Sequence, residues 1–194
     1  MKVKNLLNFS FLNFSSNEKI AQEIVELVSG SAFHVYKDKR VRELVDFSNI
    51  DRVEQDRIFN ELQVTVLALV ILLLEQKSNF AVSNKKDTLL KLRTDVEEKF
   101  INFLLEIGIQ QGFVDMWSGL IKMRCEEYRN IYEKRKRKAT KFNSKLLLTV
   151  VTNGGLKHIR RGDVFPGDHL RQYILIWLEI AMEETEDIIK KNNL

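Results

Sequence analysis

Val64-Thr65-Val66-Leu67-Ala68-Leu69-Val70-Ile71-Leu72-Leu73-Leu74 is the most apolar stretch of the chain, eleven residues interrupted only by the hydroxyl of Thr65. It has no polar face in any periodicity, and it falls short of the ~20 residues that a membrane-spanning helix needs. A helix that is apolar all round has to be covered by neighbours on every side. The stretch therefore reads as the central helix of a bundle, and the remainder of the sequence has to supply the helices that cover it.

Working outward, Ser48 followed by Asp51 resembles a capping box that opens this helix, and the apolar pattern ends near Gln76. Polar residues from Lys77 to Asp87 read as a loop. On the N-terminal side, Ile20, Ala21, Ile24, Val25 and Val28 recur at helical spacing after a cap at Ser16 or Asn17, and Ser29-Gly30 marks the expected stop. A shorter helix over Phe33, Tyr36, Val41, Leu44 and Val45 follows. On the C-terminal side, Leu89, Leu92, Val96, Phe100, Phe103, Leu104 and Ile107 form one stripe closed by Gly108. Phe113, Trp117, Leu120, Ile121, Tyr128, Ile131 and Tyr132 form the next, which runs into a basic segment. Leu146, Leu147, Val150 and Val151 suggest a short helix stopped by Asn153-Gly154-Gly155, with a strand as the alternative for the β-branched pair. After a turn at 162–167, Asp168 caps a last helix that carries Leu170, Tyr173, Ile174, Trp177, Ile180, Ala181 and Ile188 inward, to about Lys190.

The expected fold is all-α: a single compact bundle of about six helices over residues 16–194, preceded by a separate segment, 1–15. Composition agrees. One proline, Pro166, and eight glycines among 194 residues are too few for a turn-rich sheet protein. The 44% hydrophobic and 30% charged residues suit a soluble globular chain. No solenoid repeat and no sustained heptad is present.

Segment 1–15 places Lys2 and Lys4 ahead of Leu6, Leu7, Phe9, Phe11, Leu12 and Phe14, with no acid before Glu18. Asparagines interrupt its apolar run and no small-x-small site follows, so it reads as a docking or flexible segment rather than a targeting peptide. The lone Cys125 cannot pair within the chain and reads as a core residue, which fits a reducing, cytoplasmic setting.

Charge is distributed unevenly. Residues 122–161 hold thirteen Lys and Arg against three Glu, while the rest of the chain holds eighteen against twenty-four acids. Arg129, Lys134, Arg135, Lys136, Arg137, Lys138, Lys141, Lys145, Lys157, Arg160 and Arg161 form the expected polyanion-binding set. Tyr128, Tyr132 and Phe142 lie close enough in sequence to serve as stacking surfaces. Nucleic acid is the first expected partner, and an anionic membrane surface answers to the same charges. Against this, consecutive cations on a helix point in all directions, and cations also complement a helix C-terminus.

Enzymatic signatures are sparse. No G-x-x-x-x-G-K-[ST], G-x-G-x-x-G or G-x-S-x-G is present. The arginine-to-histidine spacing that marks the helical HEPN ribonucleases is missing. His34, His158 and His169 lie far apart with no metal-ligand spacing, so neither metal nor cofactor is expected. Glu179, Glu183, Glu184, Glu186 and Asp187 read as a solvated acidic face. An enzyme would need Arg160, Arg161, Asp163, Asp168 and His169 to converge around the 157–169 turn. The leading expectation is a non-enzymatic helical binding module with a basic surface. The alternative is a protein-interaction or oligomeric scaffold using the apolar N-terminus.

Overall fold

Capping side chains start four of the helices. Asp38 accepts from the backbone N–H of Arg40 and Val41, Asp51 from Glu54, Asn143 from Leu146 and Asp168 from Leu170, each relieving a first-turn donor that has no partner inside its helix. The computed structural model describes residues 16–136, 142–162, 164–165 and 167–194. Seven α-helices occur among the described residues, and no strand. They are α1 (Ser16–Lys37), α2 (Lys39–Leu44), α3 (Arg52–Phe80), α4 (Ser83–Glu106), α5 (Gln111–Lys136), α6 (Ser144–Arg160) and α7 (His169–Lys191), with a short 3-10 turn at Phe47–Asn49. All the buried apolar side chains belong to one core.

Helix α3 is the axis of the bundle. Every residue from Val64 to Leu74 is buried, and α1, α4, α5, α6 and α7 all pack on it. As a complete helix of 29 residues it is long and apolar enough to cross a membrane by length and composition, with a mean hydropathy of 1.9 over an 18-residue window. This extends the reading of the eleven-residue run. Its neighbours cover 83% of that window.

The helix polarities gather particular termini. Lys77 near the end of α3 pairs with Glu186 of α7 at 2.8 Å, Lys136 at the end of α5 stands over the Phe80 ring, and Lys85 of α4 donates to the carbonyl of Asn193. Lys191 of α7 reaches Glu23 of α1. One end of the bundle thus holds the C-termini of α3, α5 and α7 and the starts of α1, α4 and α6. At the other end Arg57 of α3 donates to the carbonyls of His158 and Ile159, and Arg160 donates to that of Leu44.

Several expected boundaries move. Helix α1 continues through Gly30, because Ala32 and Val35 extend its buried stripe and a mid-helix glycine costs only about 1 kcal/mol. Ser48 lies within the 3-10 turn, and Asp51 itself is the cap of α3. The expected loop at 77–87 shrinks to Ala81 and Val82. Helix α6 passes straight through Gly154-Gly155, because these glycines serve close packing and not termination. A Cβ on Gly154 would stand 2.2 Å from the Tyr128 ring, and one on Gly155 would stand 2.5 Å from Thr65.

Candidate functional site

Three surfaces hold the chemistry. The first is the bundle end where α5 stops and α6 begins. Lys134, Arg135 and Lys145 are exposed there and pair with no described carboxylate; Arg137, Lys138 and Lys141 lie outside the described residues. Lys85 and Lys86 of α4 and Lys190 and Lys191 of α7 are exposed at the same end. These four are distant in the chain from the basic window, and only the antiparallel arrangement of the helices unites them with it.

Other members of the expected set are placed elsewhere. Arg129 is engaged inward, its Nε and Nη2 each 2.8 Å from a Glu75 oxygen, and this bidentate bond holds its guanidinium above the usual value. Lys136 is half-buried, 3.6 Å from Glu133 and over Phe80 and Tyr132. Tyr128 and Tyr132 are fully buried and offer no face for stacking, which corrects the expectation for both. The Tyr128 ring packs on Gly154, while the Tyr132 hydroxyl accepts from the Asn143 N–H. Phe142 is half-buried against the core. Lys157, Arg160 and Arg161 stand at the opposite end, since the twelve helical steps from Lys145 to Lys157 rise about 18 Å. The continuous basic window of the sequence is therefore two separate places.

That opposite end holds the second surface, a charged network across α3, α5 and α6. Arg124 binds Glu61 through two contacts of 3.1 and 2.7 Å, and both side chains are nearly buried. Burial disfavours the Arg124 charge, but Glu61 more than offsets this and holds the guanidinium above its ordinary value. His158 Nε2 lies 2.7 Å from Glu127, and Glu54 bridges Arg57 and Arg161 at 2.6 Å each. Arg57 keeps the Glu54 carboxyl below the usual range, with Arg161 adding to the effect. A depression of about 310 Å³ opens above Arg57, Glu61, Arg124, Lys157, His158 and Arg161. Its arginines are committed to carboxylates and carbonyls, so the network ties helices together.

Of the residues required for an enzyme at the 157–169 turn, the described ones are only partly brought together. Arg161 turns to Glu54, Arg160 turns to Asp168 and the Leu44 carbonyl, and His169 is exposed; Asp163 lies outside the described residues. No cluster of three or more potential metal ligands occurs among the described residues. Cys125 is buried, and burial pushes its thiol up to about 12, which fits a core residue.

The third surface is an aromatic groove of about 950 Å³ between α1, α3, α4 and the start of α5. Phe33, Phe59, Phe103, Phe113 and Trp117 line it, with Ile107 and Ile109 from the α4–α5 connection. Phe33 is 47% exposed, and Ile107 and Phe113 are each 56% exposed, so the groove leaves large apolar side chains facing water. Its rim carries Glu26 and Asp56. In its lining, the Ser29 hydroxyl and the Gln63 side-chain oxygen are buried with no hydrogen-bond partner among the described residues. In the sequence Phe33, Phe103, Phe113 and Trp117 read as members of apolar stripes, and nothing local marks the opening between them. No family model, no curated protein and no solved structure matches this chain, so each surface is read from its own chemistry.

Proposed function

We propose that the protein is a non-enzymatic binding module whose basic bundle end contacts a polyanion, with nucleic acid as the partner. The observation that carries this reading is the gathering of Lys85, Lys86, Lys134, Arg135, Lys145, Lys190 and Lys191, all exposed, at the meeting point of α4, α5, α6 and α7. Cations gathered in this way attract phosphates and release their counterions on binding, Lys191 being the one that also pairs with a carboxylate, Glu23. With Tyr128 and Tyr132 buried, recognition rests on the phosphate backbone, so little sequence preference is expected.

The test is an anisotropy titration with labelled RNA and DNA at about 50 and about 200 mM salt. Contact with about four phosphates predicts roughly a hundredfold loss of affinity on duplex DNA between these conditions. Charge reversal at Lys134, Arg135 and Lys145 should weaken binding strongly, whereas reversal at Lys157, at the other end, should leave it nearly unchanged. Absence of salt-sensitive binding at micromolar protein removes the proposal. Binding to anionic vesicles with none to nucleic acid reassigns the partner.

A further inference from the structure

We propose that residues 1–15 of the chain seat in the aromatic groove of the same molecule. This inference is independent of the basic end and rests on the match between groove and segment. The groove exposes phenylalanine and isoleucine side chains, and the segment carries Leu6, Leu7, Phe9, Phe11, Leu12 and Phe14. Burying each such side chain against the aromatic wall is favourable by about 1.5–3 kcal/mol before ordering costs. The rim is acidic, with Glu26 and Asp56 exposed, and the segment holds Lys2 and Lys4 and no acid. Gln63 is 5% exposed with its side-chain oxygen unpartnered, an acceptor suited to the amides of Asn5, Asn8 or Asn13.

The tether reaches. The segment joins α1 at Ser16, and the groove residues of that helix run from Glu26 to Phe33, about 15 to 26 Å along its axis. Fifteen residues extend to about 50 Å, so the segment can fold back along α1 and enter the groove without strain. The opening is kept clear at Gly30, inside α1, where a Cβ would meet nothing within 4 Å. Packing within the bundle does not require glycine there. A short tether supplies an effective concentration of about 1 mM, so even an intrinsic affinity of about 0.1 mM keeps the groove roughly tenfold more occupied than empty.

The experiment uses the full chain. A thiol introduced by Gln110→Cys sits on the groove lining, while native Cys125 is buried and stays silent. Alkylation of position 110 by a bulky maleimide is timed with the native segment and again with Phe9, Phe11 and Phe14 all changed to Ser. A thiol from Met123→Cys, on an exposed part of α5 outside the groove, is the control. The expected result is labelling about tenfold faster at position 110 in the serine variant, matching the occupancy above, with no change at position 123. Equal rates at position 110 overturn the proposal. A second measurement pairs Ser10→Cys with Gly30→Cys under mild oxidation. Disulfide-linked monomer that forms equally well on dilution supports seating within one molecule. Absence of any such link, or a linked dimer as the product, overturns it.

Discussion

Replacing Gly154 by alanine tests how α5, α6 and α3 are fitted together. The added Cβ would lie 2.2 Å from Cε1 and 2.7 Å from Cδ1 of Tyr128, whose ring is fully buried and has no exit to solvent. In an unhindered helix, glycine to alanine gains about 1 kcal/mol through reduced backbone entropy in the unfolded chain. Gly119, inside α5 with nothing within 4 Å of its Cβ position, is the reference for that gain. At Gly154 the ring has to retreat by most of an ångström or α6 has to move off α5, and overpacking of this kind costs about 1–3 kcal/mol or more. The helix gain is common to both sites, so the two alanine variants should differ by the overpacking cost, about 1–3 kcal/mol or more, with Gly119→Ala more stable than the parent and Gly154→Ala less stable. For a chain of this size that separates their melting temperatures by roughly 6 °C. Urea unfolding followed by far-ultraviolet circular dichroism measures the difference. Tyr128→Leu in the Gly154→Ala background should recover part of the loss as a non-additive term. A Gly154→Ala protein as stable as Gly119→Ala would refute the close approach of α6 to Tyr128.

Three further outcomes follow from the same geometry. Arg124→Met leaves Glu61 unpaired at 6% exposure and should destabilise the fold by about 3–5 kcal/mol, whereas adding Glu61→Leu should restore most of that; chemical denaturation of the three variants checks it. The carboxyls of Glu54, Asp38 and Asp168 all titrate below their ordinary values in the folded chain. Their ionised forms thus favour folding, and their contribution is present above the unfolded carboxylate range near pH 4 and lost as pH falls through the folded values, which thermal melts across the acid range will show. Cys125, with its thiol raised to about 12 by burial, should fail to react with an aromatic disulfide at mildly alkaline pH until denaturant is added. Rapid reaction of the native protein would place the thiol outside the core.

The all-helical architecture was legible because its cause is local. Apolar side chains returning every three or four residues define α4, α5 and α7, and Asp168 announces the start of α7 by its chemistry alone. Gly154-Gly155 was misread for a physical reason. Glycine ends helices in isolation, but within a bundle it also lets a neighbouring side chain approach, and the sequence does not state which neighbour is present. The stacking role expected of Tyr128 and Tyr132 failed in the same way. Their proximity to lysines along the chain said nothing of the direction of the rings, and both point into the core between α5 and its neighbours.

From the order of residues alone came the helical class, the central position of Val64 to Leu74 and the excess of cations between 122 and 161, since backbone periodicity and composition are properties of the chain itself. Only the tertiary structure divided those cations between two ends of the bundle, recruited Lys85, Lys86, Lys190 and Lys191 to one of them, and opened an aromatic groove from four helices. Those outcomes depend on which helices lie antiparallel and which side chains find partners, and such relations between distant residues exist only once the chain has packed.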